Sequence, residues 1–77
     1  MREERTLTLR VGDSEDGVPW AGRALRELDF PRDTLVALVR RTEGAIVPNG
    51  ETVLSDGDRL TMIGTPEGIE AMVQRLS

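Results

Sequence analysis

The sequence predicts a small α+β domain with the element order β-α-β-β-β-α. Its architecture is a two-layer sandwich, with two helices on one face of a mostly antiparallel sheet. Three observations lead there. Residues 6–11 read TLTLRV, in which Leu7, Leu9 and Val11 alternate with Thr6, Thr8 and Arg10, and a period of two marks a half-buried strand. The second half sets short apolar runs between close turn signals, TEG, NG and SDGD, a spacing that suits hairpins. The chain closes on TPEGIEAMVQRLS, a helix start signal followed by an apolar stripe at helical spacing.

After the first strand, GDSEDG at residues 12–17 is a solvated loop of turn formers. It lacks the spaced ligands and closing glutamate of a calcium loop. Residues 19–28, PWAGRALREL, place Ala21, Ala24, Leu25 and Leu28 at i, i+3, i+4 and i+7, which predicts a short amphipathic helix entered at Pro19. Gly22 weakens that helix by about 1 kcal/mol relative to alanine, so packing must hold it. Pro31 disfavours helical geometry at Phe30 and ends it.

Residues 33–41, DTLVALVRR, are apolar on both faces. Simple alternation points Leu35, Ala37 and Val39 one way and Val36 and Leu38 the other. Such a strand is central, or meets a partner on its outer face. A turn at 42–44 leads to a short strand at 45–47. Pro48 stops or shifts its pairing, and Asn49-Gly50 is a tight-turn signal because both residues tolerate positive φ. Residues 52–54 are a brief extended piece, and SDGD at 55–58 is a second turn. In the last strand, RLTMIG, Leu60 and Met62 face one side and Thr61 and Ile63 the other. Thr65 caps the final helix, Pro66 takes its first position, and Ile69, Met72, Val73 and Leu76 form its apolar stripe.

Composition narrows function. The chain has 77 residues, enough for one domain over residues 1–77. So small a domain buries only about 60% of the surface of its unfolded chain. It has no cysteine and no histidine, so disulfides are impossible and zinc, copper or iron sites are not expected. Oligomerisation, or attachment to a larger protein, is the expected support. The absence of cysteine fits a cytoplasmic setting. No run approaches the ~20 apolar residues of a membrane span, and MREERTLTLR has no apolar core of a signal peptide.

The net charge is −4 and the only aromatics are Trp20 and Phe30, which argues against nucleic acid. The chain has no histidine, cysteine, tyrosine or lysine, which removes most general bases and nucleophiles. Only carboxylate chemistry would be open to an enzyme. No catalytic residue, metal ligand or cofactor is expected. Asp56 and Asp58 read as turn residues bonded to the local backbone, since a hard cation needs more oxygen ligands than this segment offers.

A longer string carries a family signal. Gly22-Arg23-x-Leu25-x-x-Leu28 precedes a strand ending in Arg40 and Arg41. Then follow Ile46-Val47-Pro48-x-Gly50-x-Thr52-x-Leu54-x-x-Gly57-Asp58-x-Leu60, a strand to Gly64 and a last helix. From about Thr6 to Leu76 the chain resembles the C-terminal domain of RCK proteins, also called TrkA-C. The resemblance implies a cytosolic regulatory domain, usually a homodimer, appended to a potassium channel, a transporter subunit, a cation/proton antiporter or another membrane transporter. It implies covalent linkage within a larger transport protein, and location at the cytoplasmic face of the membrane. Some such domains bind cyclic di-AMP at the dimer interface.

Binders of that ligand tend to carry an Asp-x-Arg string after the first helix and a longer connection to the next strand. Here Asp29 matches, the arginine comes one position late as Arg32, and Pro31 shortens the connection. Asp29 and Arg32 carry over as candidate ligand contacts, with Val36 and Pro48 as cleft walls and Arg41 as a candidate phosphate contact. The plainer reading of Arg40 and Arg41 is a strand end with ordinary surface pairs. Leu35, Val36 and Leu38 are the candidate dimer interface. Two functions follow: a ligand-sensing, dimerising regulator of a membrane ion channel or transporter, or a dimerisation module without a small-molecule ligand.

Overall fold

The computed structural model describes residues 3–77. Four strands form one sheet: β1 (Arg5–Arg10), β2 (Thr34–Arg41), β3 (Gly44–Ile46) and β4 (Arg59–Gly64). Their order is β1-β4-β2-β3, and all three pairings are antiparallel. The last element is α1 (Pro66–Leu76). The Thr65 hydroxyl accepts the Gly68 N–H at 3.0 Å, and Pro66 occupies the first turn, so the start signal acts as its residues dictate.

The alternation of β1 and β4 sets the core. Leu7 lies opposite Met62, and Leu9 opposite Leu60. Across the other edge of β4, Val36 faces Met62 and Val39 faces Leu60. Leu60, Met62 and Val39 are fully buried. Ile69 and Met72 of α1 close over this face, and α1 lies against β1 and β4. Only half of the helical stripe is used, because Val73 and Leu76 stay exposed.

The expected first helix is absent. Within residues 19–28 the only helical piece is a single 3-10 turn, Leu25–Glu27. The backbone here bonds outward instead of along itself. Gly22 N–H donates to Leu54 O at 2.7 Å, Leu25 N–H to Thr52 O at 3.0 Å and Arg26 N–H to Gly50 O at 2.9 Å, while Leu54 N–H donates to Arg23 O at 2.9 Å. Ala24 and Val53 form an antiparallel bridge. Gly22 sits at φ 84°, a left-handed conformation that breaks a right-handed helix. The second layer is therefore one helix plus this strapped segment, whose Leu25, Trp20, Leu28 and Phe30 join the core.

The facing expected for β2 also changes. The register steps from Val36 opposite Met62 to Leu38 opposite Thr61, so Ala37 is an extra residue, a β-bulge. Val36 and Val39 thus face the core, and Leu35 and Leu38 share the outer face with Ile63 and Thr61. Asn49 and Gly50 do not use positive φ. Their turn is held by Glu51 N–H on Asn49 Oδ1 at 2.8 Å and Asn49 N–H on Thr52 Oγ1 at 3.0 Å.

Candidate functional site

The strap between residues 22–26 and 50–54 shapes the candidate site. By drawing Gly50 against Arg26, it sets Pro48 and Asn49 beside Leu25 and Phe30. Val36, tilted inward by the bulge, completes the wall. The result is an open cleft of about 280 Å³ whose lining includes Leu25, Arg26, Phe30, Val36, Pro48 and Asn49. Phe30 is itself fixed by an edge-on contact with Trp20, the ring centroids 5.7 Å apart at 86°. The cleft is chiefly apolar, with Arg26, the Asn49 amide and the Thr34 hydroxyl as its polar side chains; Thr34 Oγ1 donates to Pro31 O at 2.7 Å. Arg26 Nε lies 3.3 Å from Glu51 Oε2 in an exposed pair, a weak tie that a stronger anion can displace.

The five candidate ligand contacts are not all brought together. Val36 and Pro48 share this cleft. Arg32 lines a different, larger depression of about 650 Å³ at the start of α1, beside Pro31, Asp33 and Thr65. The Asp29 carboxylate is exposed and 3.9 Å from Arg75, and the Asp29 backbone carbonyl accepts from Arg75 Nη1 at 2.7 Å. Asp29 and Arg32 flank the cleft through the Phe30-Pro31 connection without lining it.

Arg41 lies apart from these. Its Nε is 3.1 Å from both carboxylate oxygens of Asp58 and its Nη2 is 2.6 Å from Val53 O. Asp58 is 3% exposed and also accepts Ser55 N–H at 2.9 Å. The backbone contact expected of Asp58 is present, but the expected weak surface pairing of Arg41 is corrected to a part-buried, two-oxygen ion pair with a buried carboxylate.

Arg26, Phe30 and Asn49 are among the cleft residues that sequence reasoning missed, with Leu25, Thr34 and Gly50. The signal lay in the two segments 22–26 and 50–54, which had to be recognised as paired. Among the described residues, no group of three or more acidic side chains is placed to hold a metal ion, and no helix is long and apolar enough to cross a membrane.

Comparison with known proteins follows the same outline. The TrkA-C domain model matches residues 15–77. The Trk system potassium uptake protein TrkA of Mycobacterium tuberculosis is 33% identical over 79 residues, covering 94% of this chain and 36% of that protein. A Trk system potassium uptake protein TrkA homolog of Archaeoglobus fulgidus is 31% identical over 51 residues, covering 66% of this chain and 12% of the homolog. The chain thus spans about a third of the length of the mycobacterial relative and less of the archaeal one. Among solved structures, an RCK domain with cda aligns at a TM-score of 0.69 and 26% identity, covering 94% of this chain and 97% of that one.

Proposed function

The chain belongs to the TrkA-C domain family, and from that premise we propose that it is a ligand-sensing, dimerising regulatory module of a membrane potassium channel or transporter. In this reading it is joined covalently to the transport protein at the cytoplasmic face of the membrane, and its role is regulatory rather than catalytic.

The observation that carries the proposal is the family match over residues 15–77, laid on a cleft that Val36 and Pro48 wall together. At about 280 Å³ the cleft falls just below the usual size of ligand sites, roughly 300–1,000 Å³. It suits half of a ligand, with a second copy holding the other half. Leu35 both lines the cleft and belongs to the sheet's outer face, so a copy docked there would border the site. A twofold dimer matches a ligand with twofold symmetry, and cyclic di-AMP, the ligand that the family resemblance suggests, has it. Such a ligand regulates only by binding two dimer geometries unequally.

One observation favours the dimerisation module without a ligand. Arg41 is committed to Asp58 and Val53, which leaves Arg26 as the cation in the cleft and Arg32 outside it.

Calorimetric titration with cyclic di-AMP, beside ATP and AMP, decides between them on protein shown to be dimeric by light scattering. Saturable micromolar binding at one nucleotide per dimer, weakened by Arg26→Ala, supports the sensor. No heat with any nucleotide from a confirmed dimer leaves the dimerisation module.

A further inference from the structure

The outer face of the sheet carries a row of like charge. Arg10 lies directly opposite Arg59, and Arg59 directly opposite Arg40, so three arginines stand side by side across β1, β4 and β2. All three are exposed. Like charges in direct cross-strand register are destabilising. The chain has 14 acidic residues against 10 basic ones, so carboxylates to neutralise the row are plentiful. Yet, among the described residues, the ion pairs involve Arg5, Arg23, Arg26, Arg41 and Arg75, and none involves Arg10, Arg40 or Arg59.

Beside the row is a cleft of about 350 Å³, lined by Arg40, Arg59, Arg41, Thr42 and the backbone of Gly44 and Gly57. No atom comes within 4 Å of where a Cβ would stand on either glycine, so the wall is open. Arg41 anchors its floor through Asp58. Asp58 is the acidic side chain held at this cleft, and Arg41 takes its charge; Asp13 and Asp56 share an adjoining depression with Arg10, and Glu43 lies in the β2–β3 turn.

We propose that Arg10, Arg59 and Arg40, with the adjoining cleft, form an anion site for a soluble oligophosphate group, separate from the Val36–Pro48 cleft. Neighbouring strands are about 4.8 Å apart, so the row spans roughly 10 Å. That length presents three planar forks in line, a match for a ligand with several adjacent anionic groups. Guanidinium binds phosphate oxygens through paired hydrogen bonds. A bound polyanion also removes the repulsion that the empty row carries. The scale of the cleft suits a small molecule.

The test is titration of the 77-residue chain with inorganic triphosphate at about 50 mM salt, where screening is weak. Arginine Nε–H shifts observed by NMR locate the site. The expected result is saturable binding that moves the Arg40 and Arg59 signals and leaves Arg26 unmoved. Arg40→Gln with Arg59→Gln should weaken it by about tenfold or more without lowering Tm. Arg10→Gln is the independent check, and should also weaken binding. No saturable binding, binding indifferent to these substitutions, or binding to phosphatidylglycerol vesicles but not to triphosphate would overturn the proposal. Shifts at Arg26 alone would also overturn it and would point to the other cleft.

Discussion

Arg41 and Asp58, 17 residues apart in sequence, form a two-oxygen ion pair with Nε 3.1 Å from each carboxylate oxygen. It ties the end of β2 to the start of β4, and its Val53 contact ties both to the strapped segment. The carboxylate is almost wholly buried while the guanidinium side chain is 27% exposed. Asp58→Ala would strand a half-buried charge and orphan the Ser55 N–H. The expected loss is about 3 kcal/mol, the low end for breaking a buried pair. Asp58→Asn keeps an acceptor for Ser55 and should cost less, about 1–3 kcal/mol. Urea unfolding followed by circular dichroism checks both, and two equal losses would show that the charge, removed in both, carries the whole effect and the Ser55 acceptor none.

Gly22 separates two accounts of the same residues. In a helix, Gly22→Ala would stabilise by about 1 kcal/mol. At φ 84° the substitution should instead destabilise by about 1–2 kcal/mol. There is open space around the position, so no clash confuses the result. A thermal melt that rises on substitution would restore the helix.

That contrast shows where the sequence is readable. Period two in residues 6–11 and 59–64 reports the core face directly, because each strand is half buried. Thr65-Pro66 reports a helix start, because its cap is made within three residues. Ala21, Ala24, Leu25 and Leu28 sit at helical spacing, yet the segment's backbone bonds from Gly22, Arg23, Leu25 and Arg26 run to residues 50–54, and local periodicity carries no trace of a distant partner. The bulge at Ala37 is silent for the same reason, and it reversed the facing of Val36 relative to Val39. The cleft was half legible: Pro48 and Val36 were found, while Arg26, Phe30 and Asn49 depended on the strap.

The bulge sorts the proposed interface residues into two kinds. Leu35 is 52% exposed on the outer face, whereas Val36 packs against the core. If the outer face is where a second copy docks, Leu35→Glu should leave the fold intact and shift light scattering from dimer to monomer. Val36→Ala should instead cost about 1–2 kcal/mol of stability and leave association little changed. A Leu35→Glu protein that stays dimeric would move the interface elsewhere, with the exposed Val73 and Leu76 of α1 the next surface to test.

Glu27 gives the 3-10 turn a pH signature. Its Oε1 accepts the Ala24 N–H at 3.0 Å, and this hydrogen bond is the chief reason its pKa is lowered below 4.5. Partial desolvation opposes the shift, and Arg23 and Arg26 add to it. A lowered folded-state pKa means that the stabilisation is present above the unfolded pKa and lost as pH falls through the folded value. The stability difference between the native chain and Glu27→Gln should therefore shrink on acidification. A difference independent of pH would show that the ionised carboxylate is not what holds the turn.

Trp20 should report occupancy of the Val36–Pro48 cleft. It is the only tryptophan, and it meets the edge of Phe30 at a centroid distance of 5.7 Å. Phe30 lines the cleft, so a ligand that pushes on that ring changes the surroundings of the indole without touching it. Titration with cyclic di-AMP should alter Trp20 emission along the same curve as the calorimetric heat. Phe30→Leu keeps an apolar wall but removes the edge contact, so it should abolish most of the optical change while binding persists. Inorganic triphosphate at the arginine row should leave Trp20 emission unchanged, because neither Trp20 nor Phe30 lines that cleft. An equal response to both ligands would mean that the two sites are coupled, or that they are one.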